Sequence, residues 1–243
     1  MILLIVSIAI QVLLIVHVIR TGRNSLWIWA IALLPFAGPI AYLLVEVLPG
    51  LRHSRTARRA TTAMRDTFDP DRNLRQYASE VRISGNVDSR RRLAEELLSK
   101  GQFHEAIETY RSALTGLYEQ DPQLLLGLAG AQFAKEDFAA ARATLDRLIA
   151  HNPDFKSPDG HLLYARALEG EGNLEKAASE YKVLSDYYPG AEAKVRYGQL
   201  LKRQGQHDDA RRVLQELLDG AQLAPAHYRR VQREWLELAR REL

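Results

Sequence analysis

One stretch decides the fold: EGNLEKAASEYKVL, residues 171–184, followed by a proline at position 189. Within it, a turn residue precedes a small, an aromatic and an apolar side chain at the spacing of one helix face: Gly172, Ala177, Tyr181 and Leu184. The same frame recurs three times elsewhere in the chain. The matching residues are Gly101, Ala106, Tyr110 and Ala113; Glu136, Ala141, Leu145, Leu148 and Pro153; and Gly205, Ala210, Leu214 and Leu217. Four copies predict a repeated helical unit.

The period of this unit indicates a family. The alanines of the frame, at positions 106, 141, 177 and 210, lie 35, 36 and 33 residues apart. This spacing resembles the period of about 34 residues in the tetratricopeptide repeat, where each unit is a pair of helices. The resemblance implies an all-α fold, with an α-solenoid of about four repeats over residues 87–225 and a capping helix over residues 226–243. It also implies a protein that binds partners and does not catalyse a reaction.

Two further patterns favour stacked helix pairs. In each first helix a large residue is followed directly by a small one: Leu93 and Ala94, Leu128 and Ala129, Tyr164 and Ala165, and Tyr197 and Gly198. The small residue lets the two helices of a repeat approach closely. After the last repeat, apolar residues at helical spacing suit a closing amphipathic helix. They are Tyr228, Val231, Trp235, Leu238 and Ala239.

Composition and charge exclude several kinds of site. The 243 residues contain no cysteine, which excludes disulfides and thiolate chemistry. The net charge is +3, but residues 51–86 carry eight arginines against four acidic residues, whereas residues 87–243 carry 23 basic against 25 acidic residues. A nucleic-acid interface would need basic and aromatic residues interleaved over one face of the repeats. We therefore predict no nucleic-acid partner, no metal site and no cofactor.

The first fifty residues differ from the rest of the chain. Residues 1–19 and residues 26–48 are two almost unbroken apolar runs separated by a short loop. A helix of about 20 apolar residues crosses the core of a bilayer, so the two runs predict a transmembrane hairpin over residues 1–50. Trp27 and Trp29 stand where aromatic side chains would meet lipid headgroups.

The second apolar run carries another resemblance. Residues 25–31 (SLWIWAI) and 34–43 (LPFAGPIAYL) resemble the two-helix membrane segment at the N-terminus of cardiolipin synthases of the phospholipase D superfamily. The resemblance implies shared membrane anchoring. It does not imply lipid synthesis, because the catalytic motif of that family needs a lysine two residues after a histidine, and none of the seven histidines has one.

A basic linker over residues 51–86 predicts the topology. Four of its arginines directly follow the second apolar run: Arg52, Arg55, Arg58 and Arg59. Basic residues mark the cytoplasmic end of a span, so we expect two spans in a bacterial inner membrane and a cytoplasmic repeat domain. The opposite topology stays open, because Arg20 and Arg23 in the short loop also resist translocation. The four arginines either contact anionic membrane lipid or act only as a stop-transfer signal.

The resemblance also indicates where a partner would bind. In tetratricopeptide-repeat proteins the first helices line a concave surface, and we name the matching positions here the concave groove. They are Arg91, Glu95, Leu126, Phe133, Leu162, Arg166, Glu169, Gln199, Lys202 and Arg203, with Asp88, Gly130 and Val195 beside them. An apolar centre (Leu126, Phe133 and Leu162) between charged ends suits an extended peptide or an amphipathic helix of a protein partner. Packing between repeats is an equally good interpretation of Phe133. The lysine and asparagine pattern with which chaperone-binding members hold a C-terminal carboxylate is absent.

Two functions fit this sequence. The first is a membrane-anchored scaffold or adaptor that recruits a protein partner at the bacterial inner membrane. The second is a non-catalytic accessory subunit of an envelope phospholipid enzyme. We do not predict an enzyme, because the nearest candidates for acid or metal chemistry, His104-Glu105 and Asp208-Asp209, lie at repeat turns, where charged side chains usually face solvent.

Overall fold

The structure is a computed structural model that describes residues 2–21, 24, 26–34, 37–43, 45 and 69–243. The chain divides into two compact units, Met1–Arg72 and Asn73–Leu243. Residues 51–68, which include the four arginines of the basic linker, lie outside the described residues.

The N-terminal unit contains three described helices: α1 (Ile2–Thr21), α2 (Leu26–Leu33) and α3 (Ala37–Tyr42). Val18, Ile31 and Tyr42 are buried where the three helices meet. The Trp27 ring meets the Tyr42 ring edge-on, with 5.4 Å between ring centroids. Each of the three helices therefore contributes to one small apolar core.

Over the second apolar run, residues 26–48, the described residues do not form one continuous helix. Instead, α2 ends at Leu33 and α3 begins at Ala37, and the two helices pack against each other. Gly38 makes this possible, because a Cβ atom there would lie 2.2 Å from the carbonyl oxygen of Ala30. Proline and glycine residues between and within the two helices favour the break.

No helix among the described residues is both long enough and apolar enough to cross a membrane. The predicted transmembrane hairpin is therefore not supported by this part of the chain.

The second unit is a stack of helix pairs. It begins with α4 (Arg72–Ser84), and the four predicted repeats follow as α5 (Val87–Ser99) with α6 (Phe103–Ala113), α7 (Pro122–Ala134) with α8 (Phe138–His151), α9 (Pro158–Gly170) with α10 (Leu174–Tyr187), and α11 (Glu192–Arg203) with α12 (His207–Leu223). Two shorter helices, α13 (Ala226–Val231) and α14 (Arg233–Glu242), close the stack. Each helix from α5 to α14 contacts its sequence neighbours, so the all-α solenoid predicted from the repeat is confirmed.

Local sequence explains where the helices start. Asp121 and Ser157 accept hydrogen bonds from backbone N–H groups in the first turns of α7 and α9, and a proline follows each of them. A side-chain oxygen at this position satisfies N–H groups that have no partner inside the helix, and proline suits the first helical position. Asn86, Asp137 and Asn173 start α5, α8 and α10 in the same way.

The turn between the two helices of each repeat has one shared conformation. Gly101, Glu136, Gly172 and Gly205 occupy the same position and have φ values of 74°, 64°, 82° and 78°. Glycine adopts a positive φ without a steric penalty, whereas a residue with a Cβ atom does not. The second repeat therefore carries a strained turn at Glu136.

The core follows the repeated frame. The alanines at positions 106, 141, 177 and 210 are at most 1% exposed, and Tyr110, Tyr181 and Leu184 are buried beside them. At the end of the stack, Leu236 and Ala239 of α14 join the core of the fourth repeat. The capping helix thus covers the apolar face that the last repeat would otherwise expose.

The second repeat departs from the frame in its core. Gln132 stands where the other repeats place an apolar residue, and its side chain is only 4% exposed. Its amide oxygen accepts a 2.7 Å hydrogen bond from the hydroxyl of Thr144, which is also buried. The two polar groups satisfy each other inside an apolar core.

We expect Thr144→Val to lower the free energy of unfolding by about 1–3 kcal/mol, because the buried Gln132 amide loses its partner. The double variant Gln132→Leu with Thr144→Val removes both polar groups and should recover most of this loss. Urea unfolding of the full chain, followed by circular dichroism, measures both. Equal destabilisation in the single and double variants would contradict this interpretation.

Candidate functional site

The concave groove forms on the first helices of the repeats. Helix α5 contacts α7, and α7 contacts α9. Side chains from successive first helices also meet, since Arg166 of α9 lies over Phe133 of α7 and Arg203 of α11 pairs with Glu169 of α9. These contacts bring Phe133, Arg166, Glu169 and Arg203 together across neighbouring first helices of the second, third and fourth repeats.

The floor of the groove is open in the second repeat. Apart from its own helix, none of the described residues would come within 4 Å of a Cβ atom built on Gly130. Leu126 and Phe133, which lie one helical turn to either side, are partly exposed. Together these three residues form a shallow apolar floor with free space above it.

Arg166 forms one wall of this floor. Its guanidinium carbon lies 4.6 Å from the centroid of the Phe133 ring, and its side chain is 33% exposed. The Phe133 ring in turn meets Phe138 edge-on, with centroids 5.2 Å apart. Burial lowers the pKa of Arg166, and the positive charge of Arg196 lowers it further. The aromatic pair therefore holds a partly desolvated cation beside the open floor.

The sequence prediction did not include two charged residues that lie near Arg166 in the groove. Glu192 lies 3.8 Å from the Arg166 guanidinium and accepts a 2.7 Å hydrogen bond from Arg196 Nε. The Arg196 guanidinium also lies 5.3 Å from the centroid of the Trp235 ring in α14. The sequence contains a signal for the pair, because an acid and an arginine four residues apart lie on one helix face.

Both carboxylate oxygens of Glu169, in the third repeat, have partners within the chain. Its carboxylate accepts a 2.6 Å hydrogen bond from the Tyr181 hydroxyl and also pairs with Arg203. Burial, together with this hydrogen bond and the negative charge of Glu169, raises the pKa of Tyr181. The network ties α9, α10 and α11 together.

Gln199 and Lys202 contact the capping helix. The Gln199 amide donates a 3.0 Å hydrogen bond to the Glu242 carboxylate, and Lys202 Nζ donates to that carboxylate and to the Glu242 carbonyl oxygen. Hydrogen bonds from Gln199 and Lys202 lower the pKa of Glu242. These two predicted groove residues are therefore directed at the chain's own C-terminal helix.

The remaining predicted groove residues divide between surface and core. Arg91 and Glu95 form a 2.6 Å ion pair along α5. Leu162 is 5% exposed and packs in the core of the third repeat, so it does not supply apolar surface to the groove. The apolar centre consists of Leu126 and Phe133.

The residues considered for acid or metal chemistry do not form a site. Asp208 and Asp209 lie in the first turn of α12 and pair with Arg211 and Arg212 one turn along the helix. His104 lies in the first turn of α6. Within the ranges that the structure describes, no group of three or more acidic or histidine side chains could hold a metal ion.

One histidine of α9 contacts two side chains of α10. His161 contacts the Tyr187 hydroxyl through Nδ1 at 2.5 Å and the Glu180 carboxylate through Nε2 at 2.6 Å. Burial raises the pKa of Tyr187, and the charge of Glu180 raises it further. The two contacts of His161 link α9 to α10.

The N-terminal unit presents a different surface. Leu13, Leu26, Trp29 and Leu33 are each at least 67% exposed. Trp27, the other tryptophan predicted at the headgroups, packs against Tyr42. The amide of Gln11 and the hydroxyl of Tyr42 have hydrogen-bond partners within the unit, namely the Ile31 carbonyl and His17.

Sequence comparisons agree with this architecture. Two family models described as tetratricopeptide repeat match residues 97–167 and residues 162–227. No curated protein matches the chain.

Solved structures share the fold at low identity. A crystal structure of MamA is 22% identical, with a TM-score of 0.56, over 65% of this chain and 92% of MamA. MamA 41-end from Desulfovibrio magneticus RS-1 is 15% identical, with a TM-score of 0.59, over 70% of this chain and 95% of that one. YrrB, described as a TPR protein with an unusual peptide-binding site, is 17% identical, with a TM-score of 0.51, over 72% of this chain and 90% of its own. At these identities the likeness shows the fold alone.

Proposed function

Because residues 97–227 are tetratricopeptide repeats, we propose that the chain is a membrane-attached scaffold that recruits a protein partner through the concave groove and catalyses no reaction itself. Its place would be the inner membrane of a bacterium, with the repeats in the cytoplasm. Attachment to a membrane raises the local concentration of the groove near membrane-bound partners.

The open floor of the groove is the observation that best supports partner recruitment. The space above Gly130, between Leu126 and Phe133, is not filled by any of the residues that the structure describes. By contrast, the fourth-repeat end of the groove contacts the capping helix through Gln199 and Lys202. A partner segment would therefore occupy the second and third repeats. YrrB, with its unusual peptide-binding site, is a precedent for peptide binding by a protein of this fold.

The surface of the N-terminal unit supports attachment to a bilayer. Large apolar side chains such as Leu13, Leu26 and Trp29 face outward, whereas the polar groups of Gln11 and Tyr42 are paired inside the unit. Lipid acyl chains suit such an exterior, because they contact apolar side chains and offer no hydrogen bonds.

A photo-crosslinking residue tests recruitment. Placed at Gly130 in the full chain in cells, it should form an adduct of defined mass with one protein. The same residue at the outward-facing Arg211, whose side chain is 65% exposed, should not form that adduct. Identification of an envelope phospholipid enzyme in the adduct would favour the accessory-subunit function. Adducts of the same kind from both positions would contradict recruitment through the groove.

Fractionation tests attachment. We expect the full chain in the membrane pellet after an alkaline wash. The variant Leu13→Glu with Leu33→Glu places charges on two side chains that are each 72% exposed, and it should move protein to the supernatant. Leu117→Glu alters a fully exposed leucine in the repeats and serves as the control. Wild-type protein in the supernatant would reject attachment.

A further inference from the structure

Arg166 differs from its charged neighbours in the groove because it has no hydrogen-bond acceptor among the residues that the structure describes. Glu192, at 3.8 Å from the guanidinium, is its nearest carboxylate and already accepts from Arg196 at 2.7 Å. Glu169, one turn along α9, is occupied by Tyr181 and Arg203. A guanidinium carries five N–H donors in a planar fork. The groove therefore contains unused donors on a cation that is one-third exposed.

The position of this cation is fixed. The Phe133 ring lies under the guanidinium, and Phe138 supports that ring from the side. Nearby, Arg196 adds a second positive charge, and Glu192 pairs with both arginines. An additional anion at Arg166 would thus meet a preorganised donor with a second cation close by.

The cation lies next to the apolar floor of the groove. Phe133, whose ring lies under the Arg166 guanidinium, is one helical turn from Gly130. No described residue outside this helix comes within 4 Å of a Cβ atom placed on Gly130. Leu126 continues the floor by one more turn. A ligand that fits both features carries a negative group and an apolar side chain close together.

We propose that the concave groove binds a protein segment in which an Asp or Glu carboxylate pairs with Arg166 and an adjacent apolar side chain lies over Leu126 and Gly130. This inference rests on the proposed function and adds the chemical class of the partner. One guanidinium without an acceptor matches the single charge and planar shape of a carboxylate. The apolar floor beside it favours a peptide over a free anion.

Selection from a phage-displayed library of random 12-residue peptides on the detergent-purified full chain tests this inference. We expect selected peptides to be enriched in Asp or Glu next to an aliphatic or aromatic residue. Fluorescence anisotropy then measures Kd for one selected peptide and for its Glu→Gln or Asp→Asn counterpart. The amide peptide should bind at least about tenfold more weakly, since it forfeits a charge-assisted pair.

Variants of the chain assign the effect to Arg166. Arg166→Gln should weaken binding of the acidic peptide at least about tenfold and abolish the difference between the acidic and amide peptides. Arg211→Gln removes an exposed arginine outside the groove and should change neither Kd. The comparison of the two peptides on the wild-type chain needs no variant, so it holds even if Arg166→Gln impairs folding.

The outcomes separate this inference from the proposed function. Gly130→Trp fills the open floor and should abolish binding whatever the peptide charge. Selected peptides without acidic enrichment that Gly130→Trp still blocks would overturn the inference and leave the proposed function standing. Failure to select any peptide that Gly130→Trp blocks would overturn recruitment through the groove. Arg166-dependent binding of inorganic phosphate or of vesicles containing anionic lipid, without peptide binding, would also overturn the inference.

Discussion

Gly127→Leu is expected to destabilise the repeats by about 3 kcal/mol or more, because the new side chain would occupy space already filled by another residue. A Cβ atom at this position would lie 2.5 Å from the ring of Tyr110. That ring is 2% exposed and packs in the core between the first and second repeats, so it has no room to move aside. The close approach of α6 and α7 depends on the missing side chain.

Gly130→Leu is the matched control for this prediction. The substitution is the same and lies on the same helix, one turn further along, but the position faces open space. Leucine favours a helix over glycine by about 0.5–1 kcal/mol, so this variant should be as stable as the wild type or slightly more stable. Thermal unfolding of both variants measures the difference. Similar melting temperatures for the two would show that the contact of Gly127 with Tyr110 is not tight.

The second large effect is expected at the capping helix. Leu236→Ala should lower the free energy of unfolding by about 2–5 kcal/mol, since it leaves a cavity in a packed core. Leu236 is 3% exposed and packs with Leu214 and Leu217 of the fourth repeat. The exposed face of that repeat would also favour aggregation.

Leu223→Ala provides the comparison. This leucine belongs to the adjacent helix α12 but is 92% exposed, so its loss should change stability by less than about 0.5 kcal/mol. Urea unfolding of the two variants, with light scattering to detect aggregates, tests the prediction. A Leu236→Ala chain as stable as the Leu223→Ala chain would mean that α14 does not act as a cap.

The sequence predicted the repeats well because their signal is periodic and local. A small residue at every Ala106-like position and a glycine at three of the four Gly101-like positions each report one requirement of a helix pair. The N-terminal unit was harder to predict. Apolar content over residues 26–48 suggested one helix, whereas the close approach of Gly38 to Ala30 depends on contacts between residues that a hydropathy pattern does not describe.

The side-chain contacts within the concave groove could not be predicted from the sequence either. Helical position correctly indicated that Phe133 and Arg166 lie on the first helices, but not that the two side chains stack. It also could not show that Gln199 and Lys202 contact Glu242, because that contact joins residues about 40 positions apart. Which arginine lacks an acceptor depends on all of these contacts together, and no spacing rule contains that information.

The side-by-side order of the helix pairs makes local unfolding easier at the ends of the stack than in the middle. Each helix pair contacts only the neighbouring pairs. Detaching a pair at the end of the stack therefore breaks one interface between pairs, whereas detaching a pair in the middle breaks two. Backbone amides of α7 to α10 should therefore exchange with deuterium more slowly than those of α5 and α6. The floor beside Gly130 would then stay assembled while the stack frays at its first pair, and a bound segment would remain in register during such openings.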